Sequence, residues 1–303
     1  MEYPTNIQEF DEAFGTEQSC RDYLFKLKYK KGFVCHNCGG KEYWVVNDNL
    51  YTCKKCRTQN HLTAGTIFQD THKPLSMWFK AMWWITSQKN GTSALGLQRI
   101  LGIGSYRTAW TWLHKLRVAM VRPNRDKLSG IVEVDECFIG GKQEGGQRGR
   151  GTEKTLVAIA VERNDDVIGR IRLSVIKDAS AESLKEFVEN SVKKRSTIIT
   201  DGWRGYNELK SWGYRHKQTE SKGKKDKMLP NAHLVISLLK RWIMGTMQGS
   251  VSDKHLSYYL DEYTFRFNRR TSANRGKLFY RLIEQSVELD ATTYNDIIER
   301  ETA

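Results

Sequence analysis

Proline is scarce, at four residues in 303, and no stretch approaches 18 consecutive apolar residues. The first scarcity excludes Pro-rich low-complexity structure. The second excludes a transmembrane helix, so no membrane partner is expected. The stretch MEYPTNIQEFDEAFG lacks a basic start followed by an apolar block, so no secretory signal is expected and the compartment reads as reducing. Acids are in deficit: 49 Lys plus Arg against 35 Asp plus Glu leave 49 − 35 = +14. Hydrophobic residues at 39% and aromatics at 11% suffice for a core, which excludes a disordered chain. The length suggests two domains or three small ones. The excess positive charge points to a polyanion, and nucleic acid is the commonest polyanion in a cell.

Cysteine is also sparse. Of six residues, four form two CxxC pairs, Cys35-His36-Asn37-Cys38 and Cys53-Lys54-Lys55-Cys56, separated by fourteen residues. This is the spacing of a tetrathiolate Zn²⁺ site, in which two knuckles each supply two sulfurs to a tetrahedral ion. The intervening GGKEYWVVNDNLYT alternates like a short hairpin, with residues 50–52 as its second strand, so the segment reads as a zinc ribbon. Four thiolates complete the shell ahead of His36 and leave no position for a substrate, which makes the zinc structural. Two disulfides would need an oxidising compartment, and no βαβ pattern surrounds either pair to make it a redox site. Cys20 and Cys137 read as buried small apolar residues.

Residues 1–31 form a helical lead-in made basic by Arg21, Lys26, Lys28, Lys30 and Lys31, and the ribbon occupies 32–68. Residues 72–122 open on a Pro-started helix with a stripe of Leu75, Trp78, Phe79, Met82 and Trp83. TSALGLQRIL, the turn GIGS and YRTAWTWLHKLRVAM then make a helix-turn-helix-like pair, with Arg107, Lys115 and Arg117 off its core face. NRDKLSG is a linker. Over 130–289 the pattern changes: three strands, IVEVDECFIG, TLVAIAVER and DVIGRIRLSVI, precede the helix SAESLKEFVENSV, the strand STIITD, the helix WRGYNELKSW and a strand YRHKQT. Helices at NAHLVISLLKRWIMG, 252–270 and 275–289 close the chain. Strands in a row followed by alternation predict an α/β, RNase H-like domain. Two loops, 141–154 and 222–227, are basic.

Two acids stand out in apolar strands. Asp135 sits within Val132-Glu133-Val134-Asp135-Glu136, where Glu133 and Asp135 share one face and Glu136 takes the other. Asp201 ends Ile198-Ile199-Thr200-Asp201. A carboxylate in a buried strand is costly unless paired or metal-bound, and strand ends of open α/β sheets are where ligand sites form. Acids from neighbouring strands can share a hard divalent cation, Mg²⁺ or Mn²⁺.

The blocks CRDYLFKLKYKKGFVCHNCGG, TAGTIFQDTHKPLSMWFKAMWWITSQKNG, SALGLQRILGIGSYRTAWTWLHKLRVAM, VEVDECFIGG, ITDGWRGYNEL, LLKRWIMGT and GSVSDKHLSYYLDEYTFRFNRR run nearly end to end. Together they resemble a zinc-ribbon, DDE-superfamily insertion-sequence transposase of the fifteen-ninety-five family, with an ISXO-two-like transposase domain. The resemblance implies that Asp135 and Asp201 face the catalytic metal. The third metal-facing residue in that superfamily is often a Glu, followed seven residues on by Lys or Arg. This chain departs from the pattern: 231–241 holds no Glu, and His233 stands seven residues before Lys240, two helical turns away on one face. His233 therefore takes the third position, with Asn231 as the rival, and Lys240 takes transposon-end phosphates. The resemblance further implies two-metal cleavage of the phosphodiester by water, then attack of the freed 3′-OH on target DNA. The ribbon and helix-turn-helix region would bind the terminal inverted repeats in double-stranded DNA. A homo-oligomer would synapse two ends at the nucleoid of a bacterial cytoplasm. The alternative is a transposase-derived DNA-binding protein without catalysis.

Overall fold

The computed structural model describes residues 3–47, 50–122, 124–140, 154–164, 167–219, 229–248 and 251–299. The chain divides into two compact units: Met1–Arg122 joined by Ser272–Glu299, and Pro123–Thr271. Among the described residues no helix is long and apolar enough to cross a membrane.

The first unit starts with two capped helices. The Asn6 side chain accepts the amides of Gln8 and Glu9 at the start of α1 (Ile7–Phe14), and Thr16 accepts that of Ser19 at the start of α2 (Glu17–Lys28). The single helical lead-in expected from sequence is thus two helices, because Asn6 and Thr16 each supply a start signal. The ribbon is an antiparallel sheet of β1 (Tyr43–Asn47), β2 (Leu50–Cys53) and β3 (Gln59–His61) in that order. Phe25 of α2 lies 4.9 Å from Tyr51 and 5.7 Å from Tyr43, so tilted aromatic contacts fasten the ribbon to the helix. Then come α3 (Leu75–Ser87), α4 (Ala94–Leu101) and α5 (Tyr106–Ala119). Gly102 closes α4 at φ 64, the left-handed conformation that glycine adopts without strain. Trp78 of α3 stacks on Trp112 of α5 at 3.8 Å.

The second unit is built on β4 (Ile131–Ile139), β5 (Thr155–Asn164) and β6 (Val167–Val175), followed by α6 (Ala181–Ser191), β7 (Thr197–Thr200), a 3₁₀ segment Arg204–Lys210 and β8 (Arg215–Gln218). The spatial order is β6-β5-β4-β7-β8, with β4, β5 and β6 antiparallel and β7 and β8 parallel to β4. This is the RNase H-like arrangement. Along β4 the side chains alternate: Val132 and Val134 join the core under α6, while Cys137 and Ile139 join the core under α7 (Pro230–Met247) and α8 (Leu256–Phe267). Burying each large aliphatic side chain contributes about 1.5–3 kcal/mol, so both faces of the sheet are committed and β4 is held at its centre.

Two features differ from the expectations. Within 203–212, expected as an α-helix, Arg204–Lys210 forms a 3₁₀ segment. Gly205 packs so tightly that an added Cβ would meet the Leu184 side chain at 2.7 Å and the Ala179 carbonyl oxygen at 2.9 Å. The catalytic domain was expected to run to residue 289, whereas α9 (Gly276–Glu288) and α10 (Tyr294–Glu299) lie in the first unit. There Phe279 of α9 meets Phe10, Phe14 and Phe79, an aromatic cluster drawn from both ends of the sequence.

Candidate functional site

The four ribbon cysteines converge. Sγ of Cys35 and Cys56 lie 3.6 Å apart, as do those of Cys38 and Cys53, and all four sulfurs lie within 4.8 Å of one another. A tetrahedron with Zn–S bonds of ~2.3 Å spaces its sulfurs ~3.8 Å apart, so the donor set fits zinc. Backbone turns aim the thiols: the Gly39 amide bonds the Cys35 carbonyl, and the Arg57 amide that of Cys53. The Thr58 hydroxyl and amide hold the Cys56 thiol down to about 5, favouring the thiolate that a metal binds. His36 is not part of this group; its Nδ1 lies 2.8 Å from Oδ1 of Asn60. Cys20 and Cys137 are buried and free.

In the second unit, β4 and β7 bring the two acids level. Their register pairs Ile131 with Thr197, Val132 with Ile198 and Glu133 with Ile199. Asp135 and Asp201 each follow two residues further along, on neighbouring parallel strands. Oδ1 of Asp135 accepts the amide of Glu136 at 2.8 Å, and Oδ1 of Asp201 accepts that of Trp203 at 3.0 Å. Burial pushes the Asp135 carboxyl above its ordinary range, with Asp201 and Glu133 adding to the rise and the Glu136 amide and His233 opposing it. Nε2 of His233, in the first turn of α7, stands 3.3 Å from Oδ2 of Asp135. Among the described residues the four cysteines are the one group of three or more His, Cys, Asp or Glu whose ligand atoms crowd within 4.8 Å. Asp135, Asp201 and His233 are spread more widely than that.

Sequence reasoning noticed Glu133 but gave it no task. It is buried, and its two oxygens accept three N–H bonds from the start of α7. Oε2 takes the amides of Asn231 and Ala232, both at 2.9 Å, and Oε1 takes the Asn231 side-chain amide at 2.8 Å. Such charge-assisted bonds contribute about 1.5–3 kcal/mol each. Asn231 is thereby turned to Glu133, while His233 is turned to Asp135. The signals were an acid on the Asp135 face of an apolar strand and a helix opening, LPNAH, with no Ser, Thr or Asp to cap it. On the opposite face of β4, the buried Tyr206 donates to Oε2 of Glu136 at 2.8 Å. Burial, with Glu136 beside it, pushes the Tyr206 hydroxyl well above its ordinary value.

Lys240 is exposed on α7. Beyond Asp135, a cavity of about 250 Å³ is lined by Phe138, Ile139, Lys154, Lys240 and Met244 among others. Apart from Lys154, the basic loop 141–154 lies outside the described residues, as does the whole of 222–227. Several cations are engaged by groups of the protein itself, some of them at its surface. Lys28 Nζ donates to the carbonyls of His61, Leu62 and Ala64 at 3.0, 2.9 and 2.6 Å, and Lys30 pairs with Glu288 at 2.7 Å. Arg117 is buried beside His114, Lys115 donates to the Ile67 carbonyl at 3.3 Å, and the Arg107 guanidinium lies over the Tyr294 ring at 4.6 Å. Arg270 donates to the carbonyls of Ile168, Gly169 and Phe267.

Residues 127–268 match the ISXO2-like transposase domain, and residues 15–59 match the transposase zinc-ribbon domain; together these cover more than half of the chain. The chain is 25% identical over 282 residues to an uncharacterized protein in transposable element ISH50 of Halobacterium salinarum, covering 84% of this chain and 92% of that protein. Among solved structures, the catalytic core domain of BIV integrase aligns with a TM-score of 0.33 and 14% identity, over 50% of this chain and 94% of that one. With a zinc ribbon ahead of an ISXO2-like domain, the chain belongs to the IS1595-type, DDE-superfamily insertion-sequence transposases.

Proposed function

We propose that this chain is the DNA transposase of an insertion sequence, cutting the phosphodiester at the element's end and joining the freed 3′-OH to target DNA. The observation that carries this reading is the matched level of Asp135 and Asp201 on adjacent parallel strands, with His233 3.3 Å from Asp135, inside a transposase-family domain. Two carboxylates and an imidazole suit divalent cations, Mn²⁺ more readily than Mg²⁺. Two such ions ~3.5–4 Å apart, when bound, would clamp the attacking and leaving oxygens of an in-line displacement, which calls for donors more widely spread than a single-ion cluster.

The chain's own groups do the positioning. Oδ1 of each Asp is held by a backbone amide, which leaves Oδ2 of each as the ligating oxygen; in the metal-free protein Oδ2 of Asp135 meets His233. Lys240 and Lys154, both lining the cavity beyond β4, hold strand phosphates as point charges. The Tyr206 hydroxyl is committed to Glu136, which disfavours it as a nucleophile; on the family reading the nucleophile is water in the first step and the 3′-OH in the second, with no covalent enzyme intermediate. The ribbon, with its structural zinc, and the α4–α5 pair bind the inverted repeats. A multimer synapses two ends on DNA in the bacterial cytoplasm.

The test is incubation of a duplex bearing the element's terminal repeat with a target plasmid and Mn²⁺ or Mg²⁺. The wild type nicks the end and yields joined products, and Asp135→Ala and Asp201→Ala do neither. Equal nicking by all three proteins would leave a DNA-binding relative without catalysis, and nicking without joined products would leave a nuclease.

A further inference from the structure

We infer that Glu133 is a positioning residue whose carboxylate fixes the first turn of α7 and thereby holds His233 against Asp135. The inference rests on the reading of His233 as the third metal-facing residue. A helix begins with amides that have no partner within the helix. In α7 the first of these belongs to Pro230, which has none, and the backbone ladder starts with the His233 amide on the Leu229 carbonyl at 2.9 Å. The amides of Asn231 and Ala232 are the two left over. Leu229, at the cap position, offers no side-chain acceptor, and Glu133 takes both amides on one oxygen.

The placement is specific. Glu133 and Asp135 are neighbours on one face of β4, and Asn231 and His233 are neighbours in the first turn of α7. Glu133 meets Asn231 and Ala232, while Asp135 meets His233. One strand therefore both anchors the helix and shares a site with its imidazole. The anchor suits an anion, since the helix N-terminus carries partial positive charge. A glutamine at 133 can keep one neutral oxygen on the two backbone amides, but it loses the negative charge and sets its NH₂ against the side-chain amide of Asn231.

The experiment uses the full-length, zinc-loaded protein as wild type, Glu133→Gln, Asn231→Ala and His233→Ala. Three quantities are read: amide hydrogen exchange in the peptide spanning 229–236, Mn²⁺ binding followed by its paramagnetic resonance signal, and the Mn²⁺ concentration for half-maximal cleavage. Loss of an outer partner of a metal ligand typically costs about 10–100-fold in metal affinity. Glu133→Gln should speed exchange in that peptide and weaken Mn²⁺ binding about tenfold, with DNA affinity and zinc content unchanged. Asn231→Ala, which removes one bond of three and keeps the backbone, should shift both readouts in the same direction by less, and it carries the test if Glu133→Gln does not fold. Wild-type exchange in Glu133→Gln, or faster exchange with unchanged Mn²⁺ binding, would overturn the inference. If His233→Ala leaves Mn²⁺ binding intact, the ligand reading itself fails, whatever the exchange shows at 231 and 232. If Asn231→Ala abolishes Mn²⁺ binding without faster exchange, Asn231 is a ligand and the positioning account is wrong.

Discussion

Nε2 of His233 and Oδ2 of Asp135 face each other across 3.3 Å, joining a half-exposed imidazole on α7 to a mostly buried carboxylate on β4. Compared with a carboxylate, an imidazole at this position carries one negative charge less and supplies a softer donor, which suits Mn²⁺ better than Mg²⁺. Wild-type cleavage should be faster with Mn²⁺ than with Mg²⁺. His233→Glu should narrow that ratio, and His233→Ala should reduce the rate at least about 100-fold. A ratio indifferent to His233→Glu would remove His233 from the metal's shell.

The buried Asp135 carboxyl contributes one identifiable part of the pH dependence of stability in the absence of divalent metal. Burial raises its value in the folded state above the ordinary one. Folding then favours the protonated acid, and this contribution to stability is present at low pH and lost as pH rises through the folded-state value. Asp135→Asn removes the cost of burying charge, so it should melt higher than wild type at neutral pH, with the gap closing in acid. Cleavage should be abolished in the same variant. Parallel melting curves across the pH range would contradict the burial argument.

Zinc is expected at one ion per chain, and Cys35→Ser should lose it. The ribbon's three strands span only a few residues each, too little core to hold without a metal. Chelation should therefore expose residues 32–68 to proteolysis and weaken binding to the terminal repeat. Retention of both properties in zinc-free protein would make the tetrathiolate group dispensable.

Two basic residues should behave oppositely in salt titrations. Lys240→Gln removes one phosphate contact and should lower the slope of log affinity against log salt by about 0.9. Arg270→Gln should leave that slope alone and lower the melting temperature, because its guanidinium is occupied by carbonyls of β6 and α8. An equal slope change in the two variants would refute this division of labour.

Much of this site could be read from the chain because its signals are local. The CxxC spacing needs only two knuckles, and the alternation in β4 fixes which face Asp135 takes. The role of Glu133 could not be read, since a helix cap is sought within a few residues and this one comes from a strand 98 positions away. The fate of Lys28 and Lys115 was hidden for the same reason: a cation looks unengaged until the fold supplies distant carbonyls. The 3₁₀ form of Arg204–Lys210 and the close packing at Gly205 depend on the neighbouring α6, which no local propensity encodes. Likewise α9 was grouped with its sequence neighbours, although its apolar face belongs with Phe10, Phe14 and Phe79.

The bond between Glu133 and the start of α7 also orders events during synthesis. β4 leaves the ribosome long before Pro230, and α7 cannot satisfy its opening amides until β4 sits in its sheet. Contacts of such sequence separation form late, after loop closure has been paid. His233 therefore meets Asp135 only once β4 is seated in its sheet, so the two halves of the proposed site come together late in folding.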